Sequence, residues 1–147
     1  MDPFKLLKHD HEKVKDLFAK FQGTKGEKTR ERLFAEIRQE LELHSQLEEQ
    51  VLYPVLKEHQ ETKAISLEGE QEHHVVKVLL NELSELPVQD EAFTAKLTVL
   101  QENVEHHIKE EEGEMFKQAR QVLDKETLAQ LGDELTARKE AVGAAGR

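Results

Sequence analysis

Residues 37–53 read IRQELELHSQLEEQVLY, and residues 100–116 read LQENVEHHIKEEEGEMF. Placing His107 on His44, a shift of 63 positions, superposes the apolar residues of the two segments and repeats a His-x-x-x-Glu unit, which ends at Glu48 in one and Glu111 in the other. Apolar residues three and four positions apart are typical of an amphipathic helix, and self-similarity at a constant offset indicates a duplicated unit. We infer two copies of one helix, with polar anchors repeated along with the apolar stripe.

The helix that precedes each of these segments is also repeated. A shift of 62 positions places His73 on His11, and the apolar residues that follow coincide, as Val76 does with Val14. Each copy is therefore interpreted as a helical hairpin with one His in its first helix and His-x-x-x-Glu in its second.

Composition favours helix almost throughout. The chain has 7 Gly and 3 Pro in 147 residues, and it lacks β-branched clusters separated by turn signals. We predict an all-α fold, an up-down-up-down four-helix bundle with a short fifth C-terminal helix. The predicted domain covers residues 1–140, with hairpins at about 4–59 and 63–122 and a last helix at 124–140, followed by a flexible tail at 141–147. Pro54 predicts a kink or a weakened last turn in the second helix.

Charge and cysteine content exclude several classes of protein. The 21 basic and 31 acidic residues give a net charge of −10, which disfavours nucleic acid and anionic membrane surfaces as partners. The chain has no Cys, so a metal would have to be bound by imidazole and carboxylate. No apolar run is long enough to span a bilayer, and residues 1–10 do not resemble a signal peptide. We therefore expect a soluble, cytoplasmic protein.

The spacing of four His residues predicts that they lie at one height in the bundle. In antiparallel helices two residues lie side by side when the turn falls halfway between them, and the midpoints between successive residues of this set fall near positions 27–28, 58–59 and 90, in or beside predicted turns. Glu48 and Glu111 lie on the same helix faces, one turn along from the His of their own units. The set is His11, His44, His73 and His107.

Imidazoles and carboxylates that converge in an apolar core are costly unless they are compensated. The simpler alternative is a pair of interhelical His–Glu hydrogen bonds in an ordinary bundle. Six donors divide into two sets of two His and one carboxylate, which suit ferrous iron with open coordination positions, and the two Glu are placed to bridge two ions. Zinc and manganese accept the same donors. We favour the metal site, because the arrangement occurs twice on buried stripes.

The order of these motifs resembles the hemerythrin-like HHE cation-binding family over about residues 4 to 120. The motifs are Asp10-His11, His44-x-x-x-Glu48-Glu49, Glu72-His73 and His107-x-x-x-Glu111-Glu112. The resemblance implies a non-haem di-iron centre with an oxo or hydroxo bridge, and roles in binding or sensing dioxygen, nitric oxide, peroxide or iron itself. By position, the implied ligands are His11, His44, Glu48, His73, His107 and Glu111, with Glu49 and Glu112 as weaker candidates.

Two departures separate the chain from the oxygen-carrier branch of that family. Lys77 stands where the carriers have a further His, and the last carboxylate ligand, an Asp in the carriers, would fall at Glu112 rather than Glu111. The first hypothesis for function is a binding and sensing module, which would act through a protein partner. The alternatives are a di-iron enzyme that decomposes peroxide or reduces a diatomic gas, and an iron-buffering protein.

Several neighbouring residues are predicted to lie outside the site. Tyr53 lies nine positions after His44, and Phe116 lies nine positions after His107, which in an α-helix is the opposite face. Both aromatic rings should therefore face away from the site, with a redox role for Tyr53 as the weaker alternative. Glu70 is interpreted first as exposed and second as a hydrogen-bond acceptor for a ligand His. His9 and His59 are interpreted as solvated, and His74 and His106 first as peripheral and second as alternative ligands.

Overall fold

The computed structural model describes residues 2–145, with side chains through Val142. Within these residues every regular element is a helix. The elements are α1 (Pro3–Gln22), α2 (Glu27–Leu47), a π-helical turn π1 (Glu48–Leu52), α3 (Tyr53–Leu56), α4 (Gln60–Ser84), α5 (Glu91–Glu110), a second π-helical turn π2 (Glu111–Met115), α6 (Phe116–Val122) and α7 (Lys125–Ala145).

The helices form two hairpins and one covering helix. In the first hairpin α1 packs on α2, and in the second α4 packs on α5, while α7 lies against α1, α2 and π1. The predicted all-α four-helix bundle with a fifth helix is confirmed. No helix in the described part of the chain combines the length and apolar character needed to cross a membrane.

Short polar side chains cap the start of two helices. Asp2 accepts a hydrogen bond from the backbone N–H of Phe4 at 3.0 Å, and Asp90 accepts one from the N–H of Ala92 at 2.8 Å. These side chains satisfy amide groups that have no partner inside the helix. They set the start of the first helix in one hairpin and of the second helix in the other.

Two helix boundaries differ from the sequence prediction. The last helix continues to Ala145 rather than ending at 140, because Ala141, Ala144 and Ala145 have high helix propensity; positions 146–147 of the predicted tail lie outside the described residues. Near Pro54, the structure has a complete π turn before the proline and the helix ends at Leu56. Proline lacks an N–H, so it sits in the first turn of the short α3.

The apolar core consists of two clusters with a polar layer between them. One cluster lies toward the hairpin turns and includes Phe18, Ile37 and Phe93. The other lies under α7 and includes Phe4 and Leu131. Along each of the four long helices, the predicted His falls between the residues of these clusters, so the bundle holds the imidazoles in an otherwise apolar interior.

Candidate metal centre

Four imidazole rings meet in the polar layer between the clusters. The Nε2 atoms of His11 and His44 lie 3.1 Å apart, and those of His73 and His107 lie 3.2 Å apart. Each of these residues is buried, with between 2% and 7% of its surface exposed. The four helices therefore bring the ring nitrogens to one height, as the midpoint spacing predicts.

Glu48 and Glu111 complete this layer from the start of the two π turns. Oε1 of Glu48 lies 3.2 Å from Nε2 of His44 and 3.0 Å from Nε2 of His73. Glu111 spans the same gap, with Oε1 3.1 Å from Nε2 of His11 and Oε2 3.3 Å from Nε2 of His107. Each carboxylate thus contacts imidazoles from both hairpins.

The ligand atoms of these side chains form two overlapping groups, in each of which the atoms lie close enough together to hold a metal ion. One contains His11, His44, Glu48 and Glu111, and the other shares Glu48 and adds His73 and His107. Two donors about 2.1 Å from one ion and at right angles to each other lie about 3 Å apart, close to the distances between these nitrogens. Oε2 of Glu48 is buried and has no hydrogen-bond partner in the described chain. The donor set therefore fits metal cations bound among these side chains.

Three of the four imidazoles hydrogen-bond a carboxylate from the outer nitrogen, while the outer nitrogen of His44 lies near a carboxylate but has no hydrogen-bond partner. His11 donates from Nδ1 to Glu112 at 2.7 Å, and His107 donates from Nδ1 to Glu72 at 2.6 Å. His73 Nδ1 donates to Glu49 at 3.3 Å, and His44 Nδ1 lies 3.8 Å from Asp10. An N–H donated outward leaves the Nε2 lone pair of a neutral imidazole directed at the centre, which is how carboxylates orient metal-binding histidines.

This arrangement changes the assignment of three acidic residues. Glu49 and Glu112, the weaker candidate ligands, contact the outer nitrogens rather than the central layer. Glu70 instead accepts from Lys57 Nζ at 3.1 Å. Glu72 orients a ligand imidazole, which was the second interpretation of Glu70. It accepts from His107 of the adjacent helix, because position 72 turns toward α5 while position 70 turns toward α3.

Tyr53 reaches into the centre, so the prediction that it faces away is wrong. Its hydroxyl donates to Oε2 of Glu111 at 3.0 Å and lies 3.5 Å from Nε2 of His73. The cause is π1, in which the Tyr53 N–H bonds to the Glu48 carbonyl five residues earlier. The extra residue in that turn removes about 100° of rotation from everything that follows.

The second π turn does the same for Phe116. Its N–H bonds to the Glu111 carbonyl, and its ring lies parallel to that of His11 at 6.1 Å, as Tyr53 stacks on His73 at 5.4 Å. The two hairpins therefore differ by one hydroxyl group at equivalent places. Gly69 makes room for that hydroxyl, because a Cβ at position 69 would lie 2.5 Å from it.

Electrostatic pairing holds the layer in the absence of a cation. Burial opposes charge on His44, but the Glu48 carboxylate beside it outweighs burial and raises the pKa of the imidazole well above its usual value. The pKa of Glu48 is held well below its usual value, since the charge of His44 and several hydrogen bonds overcome the effect of burial. Burial and the charges of Glu48 and Glu111 raise the pKa of Tyr53, so its hydroxyl stays protonated.

The other His residues lie outside this layer. His9, His74 and His106 are exposed and His59 is half-buried at a helix start. His106, next in sequence to His107, pairs with Glu110 at 3.1 Å. The register taken from the repeat thus separates the buried imidazoles from their neighbours.

Comparison with known proteins agrees with this geometry. A DNA nickase of Nostoc sp. (strain PCC 7120) is 28% identical over 138 residues, which make up 93% of this chain but 39% of the nickase. The crystal structure of a hemerythrin HHE cation binding domain-containing protein from Mycobacterium kansasii superposes with a TM-score of 0.84 at 27% identity, covering 96% of this chain and 86% of that one. The family described as Hemerythrin HHE cation binding domain matches residues 2–119. The chain therefore belongs to the hemerythrin HHE cation-binding family.

Proposed function

We propose that this protein binds two iron ions, joined by an oxo or hydroxo bridge, and that the centre binds or senses dioxygen, peroxide or nitric oxide. One observation carries the proposal: six buried donors converge in two overlapping groups, and three of the four imidazoles among them hydrogen-bond a carboxylate at the outer nitrogen. The proposed ligands are His11, His44, Glu48, His73, His107 and Glu111.

The chemistry of the donors supports iron. Two imidazoles and a carboxylate per ion are typical of non-haem ferrous sites with open positions, although zinc and manganese accept the same donors. Bound iron would supply one-electron redox chemistry and a place for a small ligand. The chain supplies the negative charge of Glu48 and Glu111 to balance the cations and an apolar surround that limits water.

Iron stoichiometry tests the proposal with a matched pair of adjacent residues. Protein reconstituted anaerobically with ferrous iron should hold two irons per chain by elemental analysis. His107→Ala should lose at least one, because it removes a buried donor, whereas His106→Ala should retain both. A folded wild-type protein that saturates at one iron, or a His106→Ala variant that is empty while His107→Ala is full, contradicts the proposed centre.

A second candidate function is catalytic breakdown of peroxide or reduction of a diatomic gas, and the Tyr53 hydroxyl favours it. This hydroxyl is a buried hydrogen-bond donor bonded to a proposed ligand, Glu111. A hydrogen-bond donor beside the reacting molecule can stabilise the charge that develops on its oxygen during such a reaction. Iron-loaded wild-type protein should then consume peroxide repeatedly and Tyr53→Phe should be slower, with iron content unchanged. A protein that binds nitric oxide and turns over no peroxide is a sensor, while fast iron exchange without either property marks an iron buffer.

Partners beyond small molecules stay predictions. A sensing role would require a protein that reads the state of the centre. The nicking of DNA is a property of the Nostoc protein, of which this chain spans 39%, and a net charge of −10 disfavours contact with a phosphate backbone. The cytoplasmic location is likewise a prediction.

A further inference from the structure

A small cavity adjoins the four imidazoles on the side of the hairpin turns. Its volume is about 20 Å³, enough for one molecule the size of water. Apart from the four His, its walls come in pairs that the internal repeat relates: Val14 with Val76, Leu41 with Val104, and Ser45 with Ile108. The cavity therefore lies where the two hairpins face each other, and the last pair sets a hydroxymethyl group opposite a bulky apolar side chain.

Two surface grooves lead toward this cavity, one on each side of the bundle. The groove between α2 and α4 has a volume of about 430 Å³ and is lined in part by Glu42, Glu49 and Lys77. The groove between α1 and α5 has a volume of about 480 Å³ and is lined by the repeat-related Glu105, Glu112 and Lys15, together with Lys109 and Ile108. The duplication has thus produced two equivalent approaches.

The two approaches differ in how they meet the cavity. The α2–α4 groove shares Leu41, Ser45, His73 and Val76 with it. The α1–α5 groove shares Ile108, whose side chain is 4% exposed. The side chain of serine is smaller than that of isoleucine by two non-hydrogen atoms, so the side closed by Ile108 is open beside Ser45.

We propose that a small neutral molecule enters the centre from the α2–α4 groove through the gap beside Ser45, and that Ile108 closes the equivalent path between α1 and α5. The proposal rests on the proposed function, since it assumes iron in the centre.

The class of molecule follows from the size and charge of this route. A hydrated cation is too large for a cavity of about 20 Å³. The charges of the groove nearly balance, because Arg38 pairs with Glu42 and Lys57 pairs with Glu70, which leaves Glu49 and Lys77 as one charge of each sign. The groove therefore has no net positive charge that would attract an anion. Uncharged dioxygen, nitric oxide and hydrogen peroxide meet neither obstacle.

Nitric oxide binding to the diferrous protein tests the route. Ser45→Ile places on the open side the residue that stands at position 108 on the closed side. It should therefore slow both the association and the dissociation of nitric oxide about tenfold and leave the Kd for nitric oxide unchanged in stopped-flow absorbance measurements. The swap Ser45→Ile/Ile108→Ser should recover fast association, because it reopens the path on the other side. Ser84→Ile, the same change at an exposed position on α4, should bind at the wild-type rate. If Ser45→Ile does not fold, Ser45→Val serves in its place.

The outcomes separate this inference from the function on which it rests. Unchanged association in Ser45→Ile, or in Ser45→Val, with two irons bound overturns the route and leaves the di-iron centre intact. Slow association of nitric oxide with a Ser45→Ile/Ile108→Ser variant that holds two irons also overturns the route, because the association rate would then not depend on an open side. Wild-type protein that binds neither iron nor nitric oxide overturns both.

Discussion

Replacing Gly69 by Ala tests whether the fold has made room for the Tyr53 hydroxyl. A Cβ at position 69 would lie 2.5 Å from the hydroxyl oxygen and 2.9 Å from the ring carbon that carries it. Both contacts are shorter than van der Waals distance, and Tyr53 is fully buried. The ring must therefore move away from α4, and its 3.0 Å hydrogen bond to Glu111 must lengthen or break.

Helix propensity and steric overlap have opposite effects on the free energy of unfolding of Gly69→Ala. Alanine is favoured over glycine inside a helix by about 1 kcal/mol. Overpacking costs about 1–3 kcal/mol, and loss of a hydrogen bond to a charged acceptor costs about 1.5–3 kcal/mol. We expect Gly69→Ala to lower the free energy of unfolding by about 2–4 kcal/mol in urea denaturation of the metal-free protein.

Gly113 provides a matched control for the same substitution. A Cβ at this exposed position would meet nothing within 4 Å, so Gly113→Ala should stabilise the protein by up to about 1 kcal/mol. The chain has one Tyr and no Trp, so tyrosine fluorescence and the tyrosine band of the near-ultraviolet circular dichroism spectrum report on Tyr53 alone. These signals should change in Gly69→Ala and not in Gly113→Ala.

A double-mutant cycle assigns the effect to the hydroxyl. In a Tyr53→Phe background the nearest clashing atom is absent, so Gly69→Ala should cost less by at least about 1 kcal/mol. The ring carbon at 2.9 Å remains, so some cost persists. A Gly69→Ala protein that is as stable as wild type, with an unchanged tyrosine spectrum, refutes the claim that position 69 is small in order to hold this hydroxyl.

Four further predictions concern the centre and its surroundings. Iron should raise the melting temperature, with a stabilisation of about 2.7 kcal/mol when free iron is about 100 times Kd; no shift would mean that the donors do not bind it. The pKa of His44 is raised above 6.5 in the folded state. The stabilisation that protonated His44 gives the metal-free protein is therefore complete below pH 6.5 and is lost as the pH rises through the folded-state pKa. Thermal melts between about pH 6 and about pH 9 should show a falling melting temperature, and a melting temperature that does not change with pH contradicts this prediction. Lys139 bonds Asp10 at 2.5 Å, and Asp10 lies 3.8 Å from Nδ1 of His44, so Lys139→Ala should weaken iron binding in a competition assay by less than the about 10–100-fold expected for a direct partner of a ligand, whereas Arg138→Ala, next to it on α7, should not weaken it. Since Lys77 is exposed and gives no further imidazole, diferrous protein exposed to air and then degassed should stay oxidised in visible spectra; full return over several cycles contradicts this.

The sequence by itself determines the bundle and the register of the layer. Helix propensity and apolar spacing act locally, so they predict the long helices directly. The internal repeat adds long-range information, because His11 and His73 recur with the same apolar followers and His44 and His107 recur with the same Glu spacing. Turn midpoints then suffice to place these residues at one height.

Tertiary structure decides which neighbours complete the centre. The carboxylates at the outer nitrogens come from other helices, as with Glu112 on His11 and Glu72 on His107, and rotation about the helix axis settles which carboxylate reaches which ring. Asp10 and Glu72 stand beside His in the sequence, yet each serves the His of the adjacent helix. That cross-pairing was not visible in residue spacing.

Tyr53 shows the same division most clearly. Counting 100° per residue from His44 directs it away from the layer, and this count fails because π1 inserts one residue into the turn. Pro54 marks a local disturbance in one copy, but π2 forms with no proline near it, so the proline does not explain both turns. What the two turns share is their start at the Glu of the repeated His-x-x-x-Glu unit. The π turns place buried Glu48 and Glu111 at the layer and turn the following aromatic rings onto His73 and His11. Local sequence therefore determines the helices, whereas the packing of four helices around a shared polar layer decides where those helices depart from α geometry.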